Sequence, residues 1–261
     1  MRFKLTLQVD KEPFGNMLPI NYQYEQSAVI YRILSRANEE FSRWLHDNGY
    51  RLENGKIFKL FTYSRLKIEK RKVFPESERI AILSDSVEWQ ISFLPESSTE
   101  KFIQGLFSNQ EFEIGDKKSV VRFKVRNVEV MSMPEFAEEM EFVTMSPMCL
   151  QFKRVEDGTT EYLSPVDSCA AEIIKQGLSD RYKAFYGVEI AHSGTFGFEV
   201  LNEPKSVLVK IKANTPEQIR IRGYQCQFRM RGPKELMRVM YDSGIGSLGS
   251  QGFGCVQLLK K

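Results

Sequence analysis

Histidine and cysteine, the residues of Cys/His zinc sites and of disulfides, are scarce in this sequence. Among its 261 residues there are two histidines and four cysteines, and no two cysteines have the CxxC spacing of a metal or redox site. These counts exclude a Cys/His zinc motif, so we expect neither a metal ion nor a cofactor. The cysteines are expected to be free thiols, as in a reducing cytoplasm: Cys149, Cys169, Cys226 and Cys255.

Long hydrophobic runs and a strong net charge are also absent from the sequence. No apolar stretch approaches the roughly 18 residues of a membrane span, and residues 1–10 alternate like a strand rather than forming a signal peptide. We therefore expect a cytoplasmic protein with no membrane partner. The net charge is only +3, so the distribution of the basic residues, not their excess, must indicate any nucleic-acid partner.

The order of predicted elements in the first half is β-α-β-β-α-β with some decoration. These elements are strands over 2–9, 57–68 and 120–130, a hairpin of 79–83 with 88–94, and helices over 24–35, over 39–45 and after Ser97 or Ser98. Asn38 is expected to cap the second helix, because Glu39 and Glu40 follow it.

The same order of predicted elements recurs after an acidic linker at 134–140. The elements are strands over 141–152, 196–201, 206–213, 218–230 and 253–259, a helix from Ser164-Pro165 to Gly187, and a helix from Pro233 to Gly244. The sequence therefore predicts an α+β protein with two tandem ferredoxin-like domains, over residues 1–133 and 141–261.

Basic residues recur at alternate positions of several predicted strands, which places them on one face of each strand. They are Arg122, Lys124 and Arg126, then Lys210 with Lys212, Arg220 with Arg222, and Arg229 with Arg231, and a further cluster is Arg65, Lys67, Lys70, Arg71 and Lys72. A solvated sheet face explains any one pair best. Together they favour a phosphate backbone, such as that of RNA. Neutralising Arg229 and Arg231 is then expected to reduce the salt dependence of RNA binding.

A glycine-rich segment, GIGSLGSQGFG, lies between the last predicted helix and the last strand. Its glycines are Gly244, Gly246, Gly249, Gly252 and Gly254. Glycine lets backbone N–H groups approach phosphate oxygens, but neither a Walker loop nor a dinucleotide fingerprint is present. The alternative is a flexible connection. If this glycine loop contacts RNA, a bulky residue at Gly252 or Gly254 should weaken binding and leave most of the fold intact.

Of the two histidines, His46 has the more suggestive setting. It ends the short second helix beside Trp44 and Asp47, and an imidazole can transfer protons near neutral pH. His192, in the sequence AHSG, has no such companions. A lone histidine is nevertheless more often structural than catalytic.

Three segments, taken together, resemble the CRISPR-associated endoribonucleases that process repeat RNA, the Cas-six family of the RAMP superfamily. They are NYQYEQSAVIYRIL…WLHD…FKLFTYS, the segment FVTMSP at 142–147, and the glycine loop, which is the strongest match. The resemblance implies a metal-independent endoribonuclease that cleaves CRISPR repeat RNA to mature guide RNAs. The 2′-hydroxyl would attack the adjacent phosphate and leave a cyclic phosphate and a 5′-hydroxyl.

The resemblance also implies the catalytic residues: Tyr31 in AVIYRIL, His46 after WL and Lys59 before LFTYS. Such a reaction needs a base, an acid and a cation, and which of Tyr31 and His46 is the base stays open. The expected RNA contacts are the five glycines of the loop with Arg220, Arg222, Arg229, Arg231, Lys67, Lys70 and Arg71.

Alternative functions of the chain remain open at this point, and they differ in activity and binding partner. The main alternative is a non-catalytic RNA-binding scaffold of a CRISPR ribonucleoprotein complex, and an RRM-type binder is disfavoured because its signature is absent. CRISPR effector subunits and a second copy in a homodimer are further candidate partners.

The catalytic interpretation requires Tyr31 and His46 to lie close together in space. Tyr31 and His46 are 15 positions apart, which is about 22 Å along one continuous helix. The helix must therefore break near 35–38. We then expect Tyr31, His46 and Lys59 to converge on one surface, in a groove facing the half that carries the glycine loop.

Overall fold

A computed structural model describes residues 1–154, 157–191 and 195–259. For description, residues 1–133 are called the N-terminal half and the following residues the C-terminal half. None of the helices in the described residues is long and apolar enough to span a membrane.

The N-terminal half contains three helices and ten strands among its residues, all of which are described. They are β1 (Arg2–Asp10), β2 (Met17–Pro19), α1 (Gln23–Ala37), α2 (Glu39–Asp47), β3 (Tyr50–Arg51), β4 (Ile57–Phe58), β5 (Phe61–Tyr63), β6 (Arg71–Phe74), β7 (Arg79–Ile82), β8 (Ser86–Phe93), α3 (Glu96–Ser108), β9 (Glu111–Gly115) and β10 (Val120–Val130).

The described part of the C-terminal half contains two α-helices, a 3₁₀ turn (Gly249–Gln251) and eight strands. They are β11 (Glu139–Thr144), β12 (Leu150–Lys153), β13 (Thr160–Leu163), α4 (Ala170–Tyr186), β14 (Gly197–Val200), β15 (Lys205–Ile211), β16 (Ile219–Gln225), β17 (Gln227–Arg231), α5 (Lys234–Ser243) and β18 (Val256–Leu258).

The main sheet of the N-terminal half is antiparallel, with strand order β5-β8-β1-β10-β9. Alternation along β1 buries Leu5 and Leu7 completely. Helices α1 and α3 contribute to the same core, and they approach so closely that a Cβ at Gly105 of α3 would lie 1.8 Å from the Ile33 carbonyl oxygen. Only glycine fits at this crossing, which fixes how α1 lies on the sheet.

The main sheet of the C-terminal half is also antiparallel, with strand order β14-β17-β11-β18. Its core includes Ile174 and Leu178 of α4 and Met237 and Met240 of α5. The strands β5, β8, β1 and β10 of the N-terminal sheet follow the same relative order, with the first strand in the sequence between the third and the fourth. The chain is thus an α+β protein built on two sheets of similar connectivity.

The two halves are joined through buried polar contacts. The Arg2 guanidinium of β1 is 2% exposed and lies 3.6 Å from the centre of the Tyr241 ring. It donates to the carbonyl oxygen of Val256 at 2.5 Å and to that of Tyr241. A buried guanidinium is costly unless its hydrogens are bonded, so these contacts fasten β1 to α5 and β18.

Several predicted elements are confirmed and several boundaries are wrong. The two consecutive helices on either side of Asn38 are confirmed, and the Asn38 side chain accepts a hydrogen bond from Phe41 N at 2.7 Å. The hairpin of 79–83 with 88–94 is wrong, because β7 pairs with β2 and β6 in a separate sheet. The helix predicted from Ser164 begins only at Ala170, since Asp167 closes a turn by accepting from Ser164 N at 2.7 Å.

Three long predicted strands are each divided into two. The left-handed backbone of Leu60 (φ 54°) separates β4 from β5, β11 ends before β12, and β16 and β17 belong to different sheets. The hairpin β15–β16 stands apart from both main sheets. Apolar residues occur on both sides of each division, so their presence alone did not mark where one strand ends and the next begins.

Candidate active site

The break between α1 and α2 brings Tyr31 and His46 together. Asn38 has extended backbone (φ −160°, ψ 108°), and the chain folds back so that Ser42 Oγ donates to the Tyr31 carbonyl oxygen at 2.9 Å. The Tyr31 and His46 rings meet edge to face, with centroids 5.1 Å apart. The helix break that the catalytic interpretation requires is therefore present.

Lys59 reaches the same place from the segment between β4 and β5. Its Nζ donates to the His46 carbonyl oxygen at 2.5 Å, at the C-terminal end of α2, where a positive charge is favourable. Partial burial lowers the pKa of Lys59, and the nearby Asp47 carboxylate acts in the opposite sense. Tyr31, His46 and Lys59 thus converge on one surface.

The Tyr31 side chain is partly buried against the core of the N-terminal half. Its ring packs edge-on against Phe61, with centroids 5.7 Å apart. Burial raises the pKa of Tyr31 well above the ordinary value of a phenol, and a hydrogen bond from the Ser250 side chain opposes the shift only in part. The hydroxyl therefore stays protonated through neutral pH.

The glycine loop, residues 244–254, is packed against α1 and β5. Gln23 Nε2 donates to the Gly252 carbonyl oxygen at 2.6 Å, and Ser27 Oγ donates to that of Ser250 at 2.7 Å. Gln23, Ser27 and Tyr31 follow one another at intervals of four residues, so they share a face of α1. The loop is held along this face as far as Tyr31.

The glycines of the loop are required by packing. Gly252 (φ 87°) would place a Cβ 2.8 Å from the Tyr63 ring, and Gly254 (φ 70°) would place one 1.9 Å from the Ile245 carbonyl oxygen. The expectation that a bulky residue at either position spares the fold is therefore contradicted by the geometry. Gly244, Gly246 and Gly249 are similarly close to neighbouring atoms.

A groove of about 620 Å³ lies between the halves beside these residues. Its walls come from the Lys59 segment, from α4 and from the glycine loop, and they include Lys59, Phe61, Gln176, Arg181, Gly246 and Gly249. Lys59 therefore borders a cavity with room for a nucleotide-sized group.

Sequence reasoning missed the residues of α4 that support this groove. Arg181 is 5% exposed; it donates to the Gly246 carbonyl oxygen at 2.8 Å and to that of Gly244. The adjacent Asp180 accepts from Lys56 Nζ at 2.6 Å. Ile174, Leu178 and Arg181 occupy one face at i, i+4 and i+7, a spacing that could have identified Arg181 as an inward charge.

The predicted RNA-contacting basic residues are spread over several elements. Arg229 pairs with Glu141 at 2.7 Å and Glu199 at 2.9 Å, and Arg231 pairs with Glu139 at 2.5 Å. The exposed residues on strands or turns include Arg220, Lys70 and Arg71. Arg222 is bonded to the Ser206 hydroxyl at 3.1 Å, and Lys67 pairs with Glu88 at 3.0 Å.

The remaining basic pairs from the sequence are also engaged with acids. Arg122 pairs with Glu113, Lys124 with Asp10, Lys210 with Glu78 and Lys212 with Glu217. His192 lies outside the described residues. Among the described side chains, no group of three or more His, Cys, Asp or Glu is arranged to hold a metal ion.

Known structures define the class of protein to which this fold corresponds. A solved structure titled "An RAMP protein binding different RNA substrates" superposes with a TM-score of 0.81 and 26% identity, over 100% of this chain and 100% of the other. The fold is therefore of the RAMP type.

Sequence comparison then specifies the family. Profiles described as CRISPR-associated protein Cas6, N-terminal and C-terminal, match residues 17–129 and 131–258. A relative from Methanocaldococcus jannaschii, CRISPR-associated endoribonuclease Cas6 1, is 30% identical over 98% of this chain and 92% of its own length. The CRISPR-associated endoribonuclease Cas6 of Pyrococcus furiosus is 28% identical over 99% and 90%. The chain belongs to the Cas6 family, the Cas-six family whose motifs it resembles.

Proposed function

We propose that this chain is an endoribonuclease that cleaves CRISPR repeat RNA to mature guide RNAs. The observation that carries the proposal is the convergence of Tyr31, His46 and Lys59 beside the groove that the glycine loop borders. Relatives that match nearly the whole chain are named CRISPR-associated endoribonucleases. RNA is accordingly the proposed partner.

We infer that both halves are ferredoxin-like domains, over residues 1–133 and 141–261. The support is the shared strand order, in which the first strand lies between the third and the fourth. Strand β11 begins at Glu139, two residues before the second domain as proposed. In each half the helices pack on the sheet that this order creates.

The proposed cleavage is a transesterification within the RNA. The 2′-hydroxyl proton passes to His46, the 2′-oxygen bonds to phosphorus, and the bond from phosphorus to the 5′-oxygen breaks. Tyr31 then gives its proton to the leaving 5′-oxygen. The products are a 2′,3′-cyclic phosphate and a 5′-hydroxyl, and Lys59 offsets the charge on the phosphoryl oxygens.

The division of roles follows from burial. Because burial raises the pKa of Tyr31, the phenol is a poor base and remains available as an acid. A leaving alkoxide is a stronger base than a tyrosinate, so proton transfer from Tyr31 to it is favourable. His46 is solvent-exposed and is left as the base. These groups supply acid, base and cation, so the proposed reaction is metal-independent.

The test is cleavage of CRISPR repeat RNA in excess EDTA. We expect His46→Ala to lower the cleavage rate by about 10²- to 10⁴-fold, the usual contribution of general acid–base catalysis, with little change in the dissociation constant for RNA. The matched control is Arg43→Ala, on the same helix and paired with Glu39 at the surface. Cleavage that needs added metal, or an active His46→Ala protein, contradicts the proposal.

One observation favours a second candidate function. The structure that superposes with a TM-score of 0.81 is titled as an RAMP protein that binds different RNA substrates, without reference to cleavage. If the wild-type chain binds repeat RNA tightly and leaves it intact, then it acts as a non-catalytic RNA-binding subunit.

A further inference from the structure

An acidic side chain lies at a position where helix electrostatics disfavour it. Asp47 is the last residue of α2, and a negative charge near the C-terminus of a helix is destabilising. It is also an acid within a site proposed to bind a polyanion. Both effects disfavour a negative charge at Asp47, so the presence of an acid here must be explained by one of its contacts.

The contact that distinguishes Asp47 is with the His46 ring. The Asp47 Oδ1 and His46 Nδ1 atoms are 2.7 Å apart. A carboxylate can only accept hydrogen bonds, so a bond at this distance requires the proton to be on Nδ1. The lone pair of the neutral imidazole is then on Nε2, and no hydrogen bond to Nε2 is found within the described residues.

The geometry points to Asp47 as a positioning residue that holds His46 as the Nδ1–H tautomer, with Nε2 presented to the RNA. The contact between Asp47 and His46 is observed whatever the protein does, but its effect on cleavage rests on the proposed function. The Tyr31 ring lies edge-on to the imidazole, with centroids 5.1 Å apart, and restricts its plane from one side. Asp47 determines which ring nitrogen carries the proton. Two independent contacts therefore define the orientation of His46.

The tautomer decides which nitrogen can react. When Nε2 receives the 2′-hydroxyl proton, the ring becomes an imidazolium with both nitrogens protonated, and the Asp47 carboxylate bonds to the resulting charge. Both side chains are exposed in the free protein, so this stabilisation is screened by water. Bound RNA would displace that water and strengthen the interaction.

Nuclear magnetic resonance can read the tautomer directly. The full-length chain has two histidines, so ¹⁵N-histidine labelling gives two ring systems, and His46→Gln assigns them. For the neutral ring, we expect the wild-type spectrum to show His46 protonated at Nδ1 and bare at Nε2. Asp47→Ala should lose this preference, and Asp47→Glu should restore part of it.

The cleavage rate should fall in the Asp47 variant without any loss of RNA affinity. In Asp47→Ala we expect the single-turnover cleavage rate to fall by about 10- to 100-fold, as for other residues that orient a functional histidine. RNA binding should become tighter or stay unchanged, because a negative charge has been removed. Glu40→Ala, an exposed acid of the same helix, is the control: it removes the same charge and should change neither the tautomer nor the rate.

The outcomes separate this inference from the proposed function. A wild-type His46 protonated at Nε2, or an Asp47→Ala protein with unchanged tautomer and rate, overturns the inference. A wild-type chain that cleaves no repeat RNA but shows the Nδ1–H tautomer overturns the proposed function and leaves the positioning contact established.

Discussion

Burial affects the Tyr31 hydroxyl and the Lys59 ammonium in opposite senses, because it disfavours whichever form is charged. The pKa of Tyr31 is raised and that of Lys59 is lowered. As pH rises, Lys59 therefore loses its charge before Tyr31 loses its proton. We expect the alkaline decline of the cleavage rate to follow Lys59, beginning below the ordinary lysine pKa of about 10.4.

Replacing the ammonium by a guanidinium tests this order of titration. A guanidinium stays charged throughout the accessible range, so in Lys59→Arg the alkaline decline of the rate should shift to higher pH, although the rate at neutral pH is reduced by imperfect fit. The measurement is the single-turnover rate from pH 7 to about pH 10. An alkaline decline at the same pH in both proteins would assign it to another group.

Among elements, α4 is one wall of the groove and is bonded to the other two walls. Its adjacent residues Asp180 and Arg181 bond in different directions, to Lys56 on the segment that leads to Lys59 and to carbonyl oxygens of the glycine loop. A shift of α4 would therefore move both walls together. The Lys56–Asp180 contact is the bond that links the segment of Lys59 to this helix.

A double-mutant cycle can measure that link. We expect Lys56→Ala and Asp180→Asn each to lower the cleavage rate by about tenfold, since a displacement of about 1 Å at reacting groups can cost up to about 100-fold. The double variant should be no slower than either single one, because both remove the same contact. Lys183→Ala is the control, because Lys183 also lies on α4 and its exposed pair with Glu189 is remote from the Lys59 segment. Fully multiplicative effects of the two substitutions would mean that the contact does not position Lys59.

Element prediction from the sequence succeeded where a local signal exists. Asn38 followed by two acids marks the break that joins Tyr31 to His46, and the structure has that break. Prediction failed where strands change sheets, as at Gln225–Gln227, because a single residue separates the two strands and no proline or glycine marks the boundary between them. The role of Arg181 depends on carbonyl oxygens more than 60 positions away, which no local pattern encodes.

Across the whole molecule, ion pairing changes the expected path of the RNA. Arg229 and Arg231 already contact three carboxylates, whereas Arg220 and Arg222 are exposed on the outer face of β16. An arginine neutralised within the protein releases few counterions from RNA. The sequence pattern could not distinguish these pairs, because the acids come from other strands.

The salt dependence of RNA binding should therefore separate the two pairs. Arg220→Ala with Arg222→Ala should reduce the slope of log affinity against log salt by about 1.4 to 1.8, if each contacts one phosphate. Arg229→Ala with Arg231→Ala should leave the slope nearly unchanged, in contrast to the expectation from sequence. Titrations at several salt concentrations decide this, and the reverse ranking would move the phosphate path to β17.

The bonds between α1 and the glycine loop join residues 223 and 229 positions apart. A ribosome makes α1 and the Lys59 segment long before it makes the loop. During that interval Tyr31 has no Ser250 beside it, and the groove lacks one wall. We therefore expect the nascent chain to be inactive until the glycine loop has emerged from the ribosome and packed against α1.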